Sequence, residues 1–276
     1  VQHNVEAGVK LENGANLVFE GNNVSYNAVG VLDARVCAGP QTCSTLAARA
    51  NTFVENLGDG VRMQGASTWR GDVALGNEGD GFELNGGATL LGVVSRGNGG
   101  DGARIVGMFD VAEGNFTHNR GDGLEVVGAG ALSDSSFLRN LGAGVRSRGT
   151  YVAAIRLNAS HNFDGIAVGD ATAGLGMPSV PTLTTPALLG YVWSAQAGGV
   201  VFDIHRSTLI GNERDAIRAG NSLVNATHNY FGRAEGPSIN VLDQVGAFQN
   251  GVTPTVRVAP WYVDPQMTTT GPVHLL

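Results

Sequence analysis

The stretch Asn77-Glu-Gly-Asp-Gly-Phe-Glu-Leu-Asn-Gly86 returns 21 residues later as Asn98-Gly-Gly-Asp-Gly-Ala-Arg-Ile-Val-Gly107, and again as Asn119-Arg-Gly-Asp-Gly-Leu-Glu-Val-Val-Gly128. The same frame begins at Asn56 and at Asn140, where Ala143 replaces the aspartate. Asn56, Asn77, Asn98, Asn119 and Asn140 therefore share one phase with Gly60, Gly81, Gly102, Gly123 and Gly144. The consensus is N-x-G-D-G-φ-x-φ-x-G, with φ apolar. Such periodicity marks a repeat architecture and decides the fold before any other feature.

The flanks keep the pattern with slips. Asn4 leads to Gly8, Asn27 to Gly30, and Asn212 to Asp215, while His161-Asn162-Phe163-Asp164-Gly165 is one residue short. With Gly199 counted, the chain holds about ten repeats and reads as one solenoid. After each anchor glycine the residues alternate, as in Phe82/Leu84 and Leu124/Val126, which predicts a strand with one buried face. No 3.6-residue period is visible, and helices tolerate this much glycine poorly. The leucine-rich frame is absent. The solution left is an all-β coil of short strands, each pairing in parallel with its equivalent one turn on. About ten coils spaced ~4.8 Å apart give a rod on the order of 50 Å long.

A test of register lies between the two apolar positions. That column reads Arg62, Glu83, Arg104, Glu125, Arg146, with strictly alternating sign. Stacked in parallel, opposite charges face one another and help, each exposed pair by roughly 0–1 kcal/mol. The asparagines are expected to bond amide to amide up the stack, and the glycines beside them to supply positive φ at a sharp corner. Asp59, Asp80, Asp101 and Asp122 predict an acidic ladder. Two readings are open for it: Asp-Gly turn chemistry within each loop, or calcium held between coils. Of the six histidines, His3, His118, His161 and His228 precede asparagine and are expected at equivalent corners.

The composition excludes several classes. The chain has 276 residues, 42 of them glycine, with 42% hydrophobic content and a net charge of −7. That is too apolar for a disordered polymer, and no G-X-Y repeat makes it collagen. One lysine, Lys10, and an acidic balance argue against a nucleic-acid partner. No apolar run approaches the ~20 residues of a membrane helix, so no spanning segment is expected. The chain opens inside a repeat and shows no signal peptide, as a mature or trimmed piece of a longer precursor would.

The repeat is interrupted at about 32–52 and at 170–197. The first insertion holds Cys37 and Cys43, whose spacing reads as a loop-closing disulfide in an oxidising compartment, with free thiols the alternative. The second holds several prolines and then Tyr191-Val192-Trp193, and is expected to lie along the rod's flank. Residues 1–238 are assigned to the helix of strands and 239–276 to a C-terminal cap built around Trp261 and Tyr262, since a solenoid end exposes core and strand edge.

The repeat resembles the right-handed parallel β-helix repeats of the pectate-lyase-like superfamily. The tail, Asn229-Tyr230-Phe231-Gly232 with Gly236-Pro237 and Pro260-Trp261, is similar to a segment of secreted bacterial and archaeal β-helix proteins, including NosD-type ones. The resemblance implies a right-handed helix and an extracellular, cell-surface or periplasmic location. It does not fix an activity, because members range from polysaccharide lyases to adhesins. The leading expectation is a structural, adhesive or assembly module without catalysis, its partners other surface proteins, copies of itself or a polysaccharide. A polysaccharide-acting enzyme is the alternative, and its nearest candidates are Asp203, His205 and Arg206. A third reading is a glycan-binding module with Tyr191 and Trp193 as stacking platforms. Asn23, Asn115, Asn158 and Asn225 begin Asn-x-Ser/Thr acceptor sequences.

Overall fold

A computed structural model describes residues 1–12, 16–33, 45–169, 200–220, 222–232, 239–241, 255–257, 262, 266 and 267. They form a parallel β-solenoid. One coil runs Phe82–Asn85, Ala88–Leu91, Val94–Arg96, and the next begins at Ala103–Val106. The first strand of each coil joins a ten-stranded first sheet, from Ala7–Leu11 to Ile239–Val241. The second joins a ten-stranded second sheet, from Asn16–Glu20 to Thr255–Arg257, and the third a seven-stranded third sheet, from Asn23–Ser25 to Asn158–Ser160. Every pairing is parallel, and the middle coils keep the 21-residue register: Phe82 faces Ala103, and Ala103 faces Leu124. There is no helix among the described residues, hence none long and apolar enough to cross a membrane.

Alternation builds the core. Val61 and Met63, Phe82 and Leu84, and Leu124 and Val126 are buried from the first sheet, facing Trp69, Leu90 and Leu132 of the second. Phe53, Trp69 and Phe82 meet edge-on with ring centres 5.5–6.3 Å apart, and Phe116 stacks flat on Phe137 at 5.2 Å. Each such ring contributes about 1.5–3 kcal/mol by leaving water.

The corner between the third and first sheets carries the asparagines. The backbone N–H of Asn56 donates to Oδ1 of Asn77 at 3.1 Å, Asn77 to Asn98 at 3.0 Å, and Asn98 to Asn119 at 3.1 Å. The stack runs without a break from Asn4 to Asn212. The aspartate stack three residues on has the opposite polarity. Asp80 N–H donates back to Asp59 Oδ1 at 2.8 Å, and Asp101 N–H to Asp80 Oδ1 at 2.7 Å. Register extends this column past Ala143 to Asp164 and Asp215.

Two expectations about these corners are corrected. Gly58, Gly60, Gly79 and Gly81 do not have positive φ. They are glycine because no Cβ fits: one on Gly60 would lie 2.7 Å from Gly81 O and 2.9 Å from Asn77 Nδ2. The left-handed residue is the one preceding each ladder asparagine, such as Glu55, Gly76, Gly97, His118 and Arg139. Nor do the four histidines share a corner. His3, His118 and His161 precede the main asparagine stack, but His228 precedes Asn229, which caps Ser207 N–H in a second stack between the second and third sheets. Asn22, Asn51 and Asp72 begin that second stack: Asn22 N–H donates to Asn51 Oδ1 at 2.9 Å, and Asn51 N–H to Asp72 Oδ1 at 2.8 Å.

From Arg62 to Glu125 the charge column pairs as its alternation predicts. Arg62 Nε lies 2.6 Å from Glu83, and Arg104 Nε lies 3.0 Å from Glu125 with a weaker 3.8 Å contact to Glu83. Glu125 also receives Arg148 at 3.1 Å, and Arg146 reaches Asp122.

Candidate functional site

The chain leaves its period at 34–44, 170–199 and 242–254, and each segment connects a first-sheet strand to the following second-sheet strand. Cys37, Cys43, Tyr191 and Trp193 fall in these segments, outside the described residues. The second sheet's outer face, which begins at that corner, holds the candidates for chemistry.

The strand Val200–His205 alternates strictly, burying Phe202 and Ile204 and turning Asp203 and His205 outward two positions apart. Their spacing brings His205 Nε2 to 2.6 Å from Asp203 Oδ1. His205 Nδ1 donates to the Thr227 carbonyl at 2.8 Å, and Asn225 Nδ2 stands 3.5 Å from Nε2. The Asp203 carboxylate raises the His205 pKa above the ordinary histidine value, against the opposing effect of burial. Burial, and then the nearby charges of His205 and Arg206, lower that of His228. Tyr151, on the neighbouring coil, is raised by burial and then by Asp203. Arg206 does not join the pair: it occupies a left-handed corner position, φ 50°, and its N–H donates to His228 O.

This is a histidine–carboxylate pair whose second ring nitrogen is already committed to the Thr227 carbonyl. The outward column beneath Asp203 reads Ala153, Ala131 and Asp110. Asp110 is three coils away, about 14 Å, whereas paired-carboxylate glycoside chemistry requires roughly 5–9.5 Å.

An open groove of about 690 Å³ runs along the same corner over the first five coils, lined in part by Val18, Thr45, Ser67, Thr89, Met108 and Asp110. It ends where the alanine floor begins, so it and the His205–Asp203 pair occupy different stretches of the rod. Ser67 Oγ is buried there without a partner among the described residues. The sequence offered no sign of this groove, which exists because Gly86, Gly87 and Ala66 leave the corner without side-chain bulk.

The aspartates show what their ladder does. Each Oδ1 of Asp59, Asp80, Asp101 and Asp122 accepts an N–H from the next coil. Arg62 holds Asp59 and Arg146 holds Asp122 at the ends. Burial pushes the Asp80 carboxyl up to about 6, and burial with the neighbouring Asp122 charge pushes Asp101 up to about 7. Among the described residues no group of three or more histidine, cysteine, aspartate or glutamate side chains is gathered as a metal site.

Comparison of the chain with protein-family models, curated proteins and solved structures finds no match in any of the three.

Proposed function

We propose that this chain is a secreted or cell-surface β-solenoid module with a structural, adhesive or assembly role and no catalysis, and that it belongs with the right-handed helices of the pectate-lyase-like superfamily and their NosD-like repeats. The observation that carries the reading is how the outward charges are used. Arg62, Glu83, Arg104, Glu125 and Arg148 bind one another along the first sheet, and His205 closes on Asp203 and on the Thr227 carbonyl. A catalyst needs an acid or base facing substrate with a partner group to work against, and Asp110, the exposed carboxylate of the groove, stands between Thr89 and Ala131 in its column. Other surface proteins, further copies of the chain or a polysaccharide are the partners such a rod would meet.

The experiment is a turnover screen on uronate-containing and neutral polysaccharides, with and without calcium. No turnover is expected. Cleavage that disappears in Asp203→Asn or His205→Asn would reject the proposal in favour of a polysaccharide-acting enzyme.

A second reading is glycan recognition without turnover. It is favoured by the groove, where the hydroxyls of Thr45, Thr68 and Thr89 stand beside Val18 and Met108, the mixture of polar and apolar surface that a sugar ring presents in return. Binding on a glycan array that is lost in Thr89→Trp supports it, and array silence removes it.

A further inference from the structure

We propose that Asn23 and Asn115 carry N-linked glycans and that the third sheet's outer face is a sugar-covered flank of the rod. The chain contains Asn-x-Ser/Thr sequences at Asn23, Asn115, Asn158 and Asn225, the pattern to which such sugars are attached. Along the sequence their spacings are unrelated. The fold puts three of them in one column. Asn23 faces Thr52, then Val73, Val94 and Asn115 follow in register, and Asn115 leads through Ser136 to Asn158. Each opens its strand: Asn23–Ser25, Asn115–Thr117 and Asn158–Ser160.

The side chains then divide by environment. Asn23 and Asn115 are exposed, and no hydrogen bond to the described residues holds either carboxamide. Asn158 is half-buried and accepts Ser160 Oγ at 2.6 Å, and Asn225 stands against His205. A glycan on Asn23 or Asn115 displaces nothing. Four coils separate the two, about 19 Å, which is room for separate sugar chains.

An independent feature of the same face points the same way. The seven strands of the third sheet contain one charged residue, Arg96. Val54, Val73, Leu75, Val94 and Leu138 are partly exposed on it. The first sheet, by contrast, keeps an alternating charge ladder on its outside. A flat, charge-poor, half-apolar sheet face promotes association unless something hydrated covers it. Sugars rooted at Asn23 and Asn115 stand at two heights on that face.

This inference rests on the extracellular placement proposed above, because such sugars are added to exported chains. The test separates the two claims. The protein is isolated from its native source after the cells are fractionated into exterior and interior. Peptides containing Asn23 and Asn115 are then mapped by mass spectrometry. Carbohydrate mass on both in the exterior fraction is the expected result, and Asn23→Gln with Asn115→Gln removes it while leaving the unfolding midpoint unchanged. Exterior protein with either asparagine bare overturns the assignment of that residue, and sugar confined to Asn158 or Asn225 overturns the whole. Protein found only inside, and bare, removes the placement and the glycans with it.

Discussion

Replacing Asn98 by alanine removes one member from the middle of the asparagine stack, where the cost can be counted. Asn98 is fully buried. Its Oδ1 accepts from Asn77 N–H at 3.0 Å and from Asn77 Nδ2 at 2.9 Å, and its Nδ2 donates to Asn119 Oδ1 at 3.0 Å and Ser95 Oγ at 2.9 Å. After the change, Asn77 Nδ2 keeps the Phe53 carbonyl, Asn119 Oδ1 keeps the Asn98 N–H, and Ser95 Oγ keeps the Gly102 carbonyl. Asn77 N–H keeps nothing. An orphaned buried donor costs about 2 kcal/mol, and the other lost bonds add about 1–2 kcal/mol together, so Asn98→Ala should lose about 3–4 kcal/mol. That is a large part of the 5–15 kcal/mol typical of a folded domain. The assay is urea unfolding followed by circular dichroism, joined to amide hydrogen exchange at Asn77, which reports the orphaned group even if the rod unfolds in stages. A loss below about 1 kcal/mol with the Asn77 amide still protected would refute the claim that the stack carries backbone hydrogen bonding.

The acidic ladder sets a pH dependence. Asp80 and Asp101 bind protons more tightly folded, at about 6 and about 7, than at the ordinary value of 3.8. Their contribution is therefore fully present near pH 4 and is lost as pH rises to about 7, so the melting temperature should fall from pH 5 to pH 8, and Asp101→Asn should flatten that slope. Two glycines separate steric from conformational need. Gly123→Ala puts a Cβ 2.6 Å from Gly144 O and should cost about 3 kcal/mol, whereas Gly92→Ala, at φ +62° with open space around it, should cost about 1 kcal/mol, both read from urea midpoints. Arg104→Glu places three carboxylates in sequence with Glu83 and Glu125 and should lose about 1 kcal/mol, a loss that shrinks in high salt; one independent of salt would mean the column is not electrostatic.

The architecture was legible because the repeat states it twice, once in the alternation Phe82/Leu84 and once in the signs of Arg62 through Arg146. Both depend only on residues 21 apart standing over one another. The glycines were misread because sequence cannot distinguish a residue that needs positive φ from one with no room for a Cβ; Gly60 and Gly76 look alike until the neighbouring coil is in place. The second polar stack was missed for a different reason. Its members, Asn51, Asp72, Ser135, Ser207 and Asn229, satisfy the same need with three residue types, and Val93, Gly114 and Leu157 interrupt them. Of the site candidates, Asp203 and His205 meet because period-two geometry demands it, while Arg206 turns away at the corner one residue later. The groove and the column of glycosylation sequences needed the full register of the sheets.

The N-x-G-D-G motif can be understood as backbone accounting rather than as a binding signature. Consider the five consecutive N–H groups of one corner, Asn77 to Gly81. Glu78 and Gly79 donate backward to the carbonyls of Asn56 and Gly58, and Gly81 donates forward to Asp101 O. Asn77 and Asp80 meet side chains instead. Asn77 donates forward to Asn98 Oδ1, and Asp80 donates backward to Asp59 Oδ1. The pattern repeats atom for atom from Asn98 to Gly102. A buried N–H without an acceptor is costly, so each coil must supply one acceptor upward and one downward, and an amide and a carboxylate three residues apart do so. The opposite polarity of the two stacks follows from that need. The carboxylates are consumed by the coil that follows them, which is why four aspartates can stand in one column and why the most conspicuous motif in this chain belongs to its folding.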